Sequence, residues 1–243
     1  MKPFVMILFC IFPFLLPSLA VAQDFGLDFN AKVTKKVVKG FNIAASVEVR
    51  TQDKSTALER IDAGIDLSYK PIDYLKFGVG YNFIDAYKLS CETEDGETID
   101  HYWSPRHRVN VSVTGIFPID QFEISLRERY QYTHRMQRSV PRWNSLGVAQ
   151  DNKIVSAKDD HVLRSRVLAK YNIKSILLSP YFSMELHNDL ADSFSLDKVR
   201  LIVGTEYAVH KHHTLELFYR YTAGIANADD ECHLLGLGYA FKF

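Results

Sequence analysis

The chain has 243 residues, 47% hydrophobic and 24% charged, and its 29 basic and 29 acidic residues give a formal net charge of zero. A neutral chain lacks the basic excess typical of nucleic-acid-binding proteins, so we expect no nucleic-acid partner. These averages fit a soluble protein and a transmembrane β-barrel equally well, because the polar lumen residues of a barrel cancel the lipid-facing ones. The fold class therefore has to be inferred from periodicity.

The first 22 residues have the pattern of a secretory signal peptide. Lys2 precedes an almost wholly apolar run, residues 4–16, and Ala20-Val21-Ala22 offers the small residues that a signal peptidase accepts. We expect cleavage after Ala22, which leaves residues 23–243 as a single mature domain. A membrane anchor is the alternative, but the apolar run is too short to span a bilayer comfortably. After Ala22 no stretch of about 20 apolar residues occurs, so no helix is expected to span a bilayer.

Apolar and polar side chains alternate throughout the mature chain. In the first segment Phe25, Leu27 and Phe29 share one face, and this period of two predicts a β-strand with an apolar and a polar face. Strands of about ten residues suit a tilted bilayer crossing, whereas strands of soluble proteins run nearer five or six. The predicted strands are 25–33, 41–49, 60–70, 75–83, 106–114, 122–132, 163–171, 181–187, 198–209, 214–222 and 233–243.

The connections between these segments alternate in length. Short ones fall at 35–40, 70–73, 117–120, 172–179 and 210–213, and the intervening ones at 51–57, 88–105, 133–160, 188–195 and 224–231 are mostly longer. Outer-membrane barrels have short periplasmic turns and longer outer loops, with aromatic girdles at both lipid boundaries. Tyrosines near the segment ends, such as Tyr69, Tyr81 and Tyr130, suit such girdles.

We therefore predict an all-β fold, a closed antiparallel up-and-down transmembrane β-barrel of about 10–12 strands. Its expected location is the outer membrane of a Gram-negative bacterium, in contact with the lipids there. Bacterial single-chain barrels have an even number of strands. The segments above number about eleven, so either the first is not a full barrel strand, giving about ten, or one strand is missed, giving about twelve. We favour twelve and place the missing strand near the N-terminus, where residues 25–33 could be misread. A large soluble β-protein of the periplasm is the alternative.

The last predicted strand ends with an aromatic residue. Tyr239, Phe241 and Phe243 lie on its apolar face, and Gly238, Ala240 and Lys242 fill the alternate positions. An aromatic-rich alternating strand that ends at a C-terminal Phe resembles the terminal strand of bacterial outer-membrane barrels, where it serves as an assembly signal. The resemblance implies the barrel-assembly machinery as a partner.

Short motifs along most of the mature chain resemble a bacterial family known as domain of unknown function 2490. They are F-G-L-D-F at Phe25 to Phe29, E-V-R at Glu48 to Arg50, S-P-R-H-R at Ser104 to Arg108, L-R-E-R-Y at Leu126 to Tyr130, L-R-S-R-V at Leu163 to Val167, the pair Glu185-Leu186, and Arg200 before Leu201. The resemblance implies an outer-membrane barrel and assigns no activity.

The inward-facing positions of the predicted strands carry many charges of both signs. Neighbouring strands bring such side chains within about 5 Å, and arginine forms bidentate pairs with carboxylates. The pattern predicts a salt-bridged filling of a narrow lumen, in which open cross-section is scarce. A selectivity region or polyanion site built from the R-x-R pairs is the alternative. The predicted members are Glu48, Arg50, Arg60, Asp66, Arg106, Arg108, Glu123, Arg127, Arg129, Arg164, Arg166, Glu185, Arg200, Glu206, Glu216 and Arg220.

No pattern in the sequence predicts catalytic residues. Ser183, Glu185 and His187 share a strand face, but successive members lie about 6–7 Å apart, beyond a direct hydrogen bond. No G-x-S-x-G element is present. His210, His212 and His213 crowd a predicted turn, where a solvated turn is a better interpretation than a metal site. We expect no metal and no cofactor.

Two cysteines remain after removal of the signal peptide. Cys91 and Cys232 both fall in connections assigned to the outer side, and in an exported protein they could form a disulfide between two surface loops. Two free thiols are the alternative. Together these patterns predict a non-enzymatic structural, narrow-pore or surface-interaction barrel. A lipid- or peptide-processing enzyme and a soluble periplasmic β-protein stay open as alternatives, and no solute or ligand follows from the sequence.

Overall fold

The protein is described by a computed structural model that covers residues 25–52, 55–93, 95–173, 175–225 and 231–243. In these ranges no helix is long and apolar enough to cross a membrane. The predicted signal peptide, residues 1–22, lies outside the described residues. Eleven strands form a closed barrel: β1 (Phe25–Val38), β2 (Phe41–Gln52), β3 (Ala57–Ile72), β4 (Leu75–Lys88), β7 (Tyr102–Ile119), β8 (Phe122–Arg135), β11 (Lys158–Tyr171), β12 (Leu178–Asp189), β13 (Ser195–His210), β14 (His213–Gly224) and β15 (Cys232–Lys242).

Strands that are consecutive around the barrel pair antiparallel, except at the seam where it closes. There β1 pairs parallel with β15, from Phe25 opposite His233 to Thr34 opposite Lys242. An odd number of strands in up-and-down order forces this arrangement, because the first and last strands then run in the same direction. The preference for twelve strands and the expectation of purely antiparallel pairing were therefore wrong. Phe25–Val38 is a full barrel strand, paired on both edges.

The two faces of the barrel wall differ as the alternation predicts. Outward side chains form an apolar belt, in which Ile65 is 57% and Phe29 45% exposed. Inward side chains are polar, and Asn110 and Glu185 retain only 4% and 3% of their exposure. An apolar outer face around a polar interior is the pattern of a barrel that spans a membrane. The predicted fold class, a closed transmembrane β-barrel, is confirmed.

Connections at one end of the barrel are short and those at the other end are mostly longer, as predicted. We call these ends the turn side and the loop side. The turn side carries the connections β1–β2, β3–β4, β7–β8, β11–β12 and β13–β14, and the loop side carries the connections β2–β3, β4–β7, β8–β11, β12–β13 and β14–β15. Because β1 runs parallel to β15, Phe25 lies at the loop side and Phe243 at the turn side.

The two longest loops, predicted only as the connections 88–105 and 133–160, contain a second sheet. Its strands are β5 (Cys91–Glu92), β6 (Thr98–Ile99), β9 (Arg138–Trp143) and β10 (Ala149–Val155), in the order β10-β9-β6-β5. The β8–β11 pairing ends with Arg135 opposite Lys158, and the β9–β10 pairing resumes with Arg138 opposite Val155. The hairpin therefore keeps its register beyond the barrel wall as far as Lys153 opposite Val140, and the register shifts between Lys153 and Gln150. A salt bridge of 3.0 Å between Arg142 and Glu97 ties the two loops together.

Tyrosine–histidine pairs mark the ends of the apolar belt. On the loop side the Tyr81 hydroxyl lies 2.7 Å from Nδ1 of His107, and that of Tyr130 lies 2.7 Å from Nδ1 of His161. On the turn side Tyr239 and His213 form the same kind of pair at 2.7 Å. A ring facing lipid with its polar tip hydrogen-bonded suits the membrane boundary.

Candidate functional site

The lumen has two unlike halves. In the central and loop-side part, inward side chains pack against one another, and Asp28, Ser183 and Leu234 are at most 1% exposed. In the turn-side part they line a cavity of about 640 Å³. Side-chain size accounts for part of the difference. Buried arginines such as Arg50 and Arg220 fill the packed part, whereas small residues such as Ala44, Gly78 and Ala240 form much of the cavity wall.

Asp28 is the centre of one buried charge cluster in the packed part. Its Oδ2 accepts hydrogen bonds from Nη2 of Arg50 at 3.2 Å and from Nη1 of Arg220 at 2.9 Å. Arg50 also donates to Glu48 at 2.9 Å, and Arg60 donates to the same Glu48 oxygen at 2.6 Å. Asp28 lies on β1, Arg50 on β2 and Arg220 on β14, so this cluster ties together strands on both sides of the parallel seam.

Glu185 is the centre of a second cluster, on the opposite part of the wall. It lies 2.6 Å from Nη2 of Arg127, 2.6 Å from Nη2 of Arg164 and 3.4 Å from Nη1 of Arg200. His187 hydrogen-bonds to the same carboxylate at 2.9 Å. These partners come from β8, β11, β12 and β13, so one carboxylate links four strands. We call the two clusters together the central plug.

More exposed charge pairs lie around the turn-side cavity. Lys32 lies 3.5 Å from Asp66, and Lys170 lies 2.6 Å from Glu206. The hydroxyl of Tyr181 donates a hydrogen bond to Glu216. Glu206 and Glu216 lie directly opposite each other in the β13–β14 register, and these neighbouring donors offset the repulsion between two adjacent carboxylates.

The structure thus brings together some of the predicted lumen residues and leaves others apart. In the ranges that the structure covers, no salt bridge involves Arg106, Arg108, Glu123, Arg129 or Arg166. Arg108 donates to the hydroxyl of Thr133 at 3.1 Å.

Sequence reasoning missed several partners of these charges. Asp28 was absent from the predicted network. Because Leu27 and Phe29 point outward, alternation places Asp28 on the inward face of the strand. Lys32, Lys170 and Tyr181 were missed as well. Each shares the inward parity of its strand, so alternation was the signal that could have found them.

The three residues considered for catalysis lie inside the packed part. Ser183 is 1% exposed and faces Leu168 and Ile202 across the neighbouring strands. His187 contacts Glu185, and the described residues show no hydrogen bond between His187 and Ser183. The geometry holds the glutamate and the histidine within the plug and gives Ser183 no base.

The two cysteines lie apart in the fold. Cys91 is on β5 of the loop sheet, exposed and without a disulfide bond, whereas Cys232 begins β15 opposite Thr222. The candidate disulfide is not formed, because one residue belongs to the loop sheet and the other to the barrel wall. On the turn side, His212 contacts the Lys242 carbonyl at 2.6 Å and His213 contacts Tyr239. No group of three metal-ligating side chains occurs in the portion of the chain described.

Solved structures with a similar fold are outer-membrane barrels. The translocator domain of the autotransporter NalP from Neisseria meningitidis has a TM-score of 0.59 and 11% identity over 79% of this chain and 73% of its own. The β-domain of the Bordetella autotransporter Brka has a TM-score of 0.51 and 14% identity over 84% and 82% of the two chains. The NanC porin has a TM-score of 0.47 and 14% identity over 87% and 94%. At such identities the first two likenesses show the fold alone.

The sequence itself also matches a known family. No curated protein matches the chain significantly. The model of a family described as protein of unknown function (DUF2490) matches residues 25–232, which is most of the chain and nearly all of the barrel. The chain therefore belongs to this family of proteins of unknown function, with the fold of an outer-membrane-type β-barrel.

Proposed function

We propose that this protein is a non-enzymatic outer-membrane barrel whose lumen is closed to free diffusion by its central plug. The observation that carries the proposal is the burial of the plug: Asp28, at its seam end, is 0% exposed and Glu185 is 3% exposed. Asp28 binds arginines from two strands, and Glu185 binds arginines from three. Barrels near this size have interiors that side chains fill, and open aqueous channels belong to barrels of about 16 strands or more.

The location in the outer membrane of a Gram-negative bacterium is part of the proposal. It is supported by the apolar belt, by the tyrosine–histidine pairs at its edges and by the unequal connections, and the short turns then face the periplasm. The C-terminal strand serves as the assembly signal. Tyr239 and Phe241 lie on its outer face, and the Phe243 ring, 64% exposed, contacts that of Phe241 at 4.8 Å. An exposed aromatic terminus is accessible to the barrel-assembly machinery.

Heat-modifiable migration in detergent gels tests the barrel, because a folded barrel migrates differently before and after boiling. Planar-bilayer recording tests the plug. We expect the wild-type protein to show no stable conductance steps and the double variant Arg164→Ala/Arg200→Ala, which shortens two plug side chains while Arg127 still neutralises Glu185, to show them. Stable steps from the wild-type protein at low voltage would refute a closed lumen.

A further inference from the structure

We propose that the inner end of the turn-side cavity is a binding site for an oxyanion, the phosphate or carboxylate group of a small solute. The site is formed by Arg127, Arg129 and Arg166, which all line the cavity. The site deepens the proposed function. It rests on only one part of that function, namely that solutes enter the lumen from the turn side.

The first observation is an excess of positive charge. Arg166 lies directly opposite Arg127, and Arg164 directly opposite Arg129, in the β8–β11 register. Like charges placed opposite each other on adjacent strands destabilise a sheet. Glu185 contacts Arg127, Arg164 and Arg200, so one carboxylate already serves three arginines. Arg129 and Arg166 have no salt bridge to a described carboxylate. A bound anion would offset the repulsion between the opposed arginines.

The second observation is unused hydrogen-bonding capacity. Arg129 and Arg166 have neither a salt bridge nor a side-chain hydrogen bond to another described residue, and their Nε atoms are buried without a partner. The Nε atom of Arg127 is also unpartnered. Buried donors without partners are rare in folded proteins and require an explanation. A guanidinium presents a planar fork of donors that fits a carboxylate or a phosphate.

The third observation is access from one end. The cavity of about 640 Å³ reaches from Lys242 and Lys76 at its mouth to the arginines at its inner end. Six basic and four acidic side chains line it. Two of the acids, Asp66 and Glu206, already pair with lysines, and Glu216 accepts a hydrogen bond from Tyr181. Ser125 and Asn110 beside the arginines add neutral polar groups that suit a small polar solute.

Isothermal titration with inorganic phosphate, and separately with acetate, tests the site on the full barrel in a non-ionic detergent. Ionic strength is held constant with sodium chloride, because salt screens a diffuse positive field. We expect saturable binding of at least one of the two probes, and their relative affinities distinguish a phosphate site from a carboxylate site. The single changes Arg129→Gln and Arg166→Gln should each weaken binding about tenfold, as expected for loss of charged hydrogen bonds.

Arg106→Gln is the matched control, since Arg106 is also an inward arginine without a salt bridge but does not line the cavity. It should leave the affinity unchanged. Arg129→Lys keeps the charge and loses the fork, so it should weaken binding less than Arg129→Gln. Heat-modifiable migration verifies that each variant folds.

The proposal is overturned if neither probe binds the wild-type barrel, or if Arg106→Gln weakens binding as much as Arg129→Gln. Binding in detergent requires no conductance, so its failure is distinguishable from a failure of the plug, which bilayer recording reports separately.

Discussion

Asp28 and Arg220 form a salt bridge of 2.9 Å although 192 positions separate them in the chain. Asp28 lies on the first strand and Arg220 on β14, so the contact reaches past the β1–β15 seam to the strand beyond. Backbone hydrogen bonds hold the seam itself, and this buried ion pair adds a side-chain tie across it. Backbone hydrogen bonds and a buried side-chain ion pair therefore both hold the barrel closed.

The change Asp28→Ala should destabilise the barrel by about 3 kcal/mol, the typical cost of leaving a buried charge without its partner. Arg220 loses its salt bridge, whereas Arg50 keeps Glu48 and Glu59. Urea unfolding of the barrel in phospholipid vesicles measures the free energy of unfolding. Asn30→Ala, an inward substitution on the same strand, should cost much less. Equal losses in the two variants would mean that the ion pair does not support the seam.

Replacing Glu185 by glutamine should have a larger effect than any other single loss of a lumen carboxylate. Three arginines and His187 contact this side chain, so we expect a loss of about 3–5 kcal/mol. Glu123→Gln is the matched control, because Glu123 also faces inward but forms no salt bridge with a described residue, and it should change the stability by less than about 1 kcal/mol. Urea unfolding in phospholipid vesicles again measures the free energy of unfolding. A small loss of stability in Glu185→Gln would contradict a plug centred on this carboxylate.

On the outer wall, Glu128 is an exception to the apolar belt. It is exposed between the outward Leu126 and Tyr130 and accepts a hydrogen bond of 2.7 Å from Ser165. A carboxylate on the lipid face is unfavourable, so Glu128→Leu should raise the stability in vesicles by about 1 kcal/mol. Ser165→Ala removes the hydrogen-bond donor to Glu128 and should instead lower the stability in vesicles by about 1 kcal/mol. A loss of stability in Glu128→Leu would show that this wall does not face hydrocarbon.

Thiol labelling allows the two ends of the barrel to be assigned. In unreduced wild-type protein, the exposed Cys91 should react with a membrane-impermeant maleimide on intact cells, because it lies on the loop side. Denaturation without a reductant should then reveal a second thiol, Cys232. A cysteine introduced by Lys211→Cys in a background without Cys91 and Cys232 should react only after the outer membrane is permeabilised. If neither thiol reacts in the denatured, unreduced chain, the hypothesis of a disulfide between Cys91 and Cys232 is supported instead.

Local alternation allowed most of the barrel to be predicted, and it erred where long-range geometry decides. The strands Phe41–Gln52 and Leu75–Lys88 follow from side chains that repeat every second residue, which is a property of the backbone alone. The predicted range of about 10–12 strands includes the eleven observed. The preference for twelve was wrong because parallel closure between β1 and β15 has no signature within either strand. The loop strands Arg138–Trp143 and Ala149–Val155 were missed because neither segment alternates apolar and polar residues along its length. They pair as an extension of the β8–β11 hairpin.

The sequence by itself determined which side chains face lipid and which face the lumen, since a period of two fixes the parity of every strand residue. Which inward charges meet was decided only by the tertiary structure. Glu185 contacts Arg127, 58 positions away, whereas Arg129, one step along the same strand face, has no salt bridge to a described residue. The parity of the two arginines is identical. The stagger of neighbouring strands, set by the closed sheet as a whole, brings Arg127 within reach of Glu185 and leaves Arg129 without a salt bridge to a described residue.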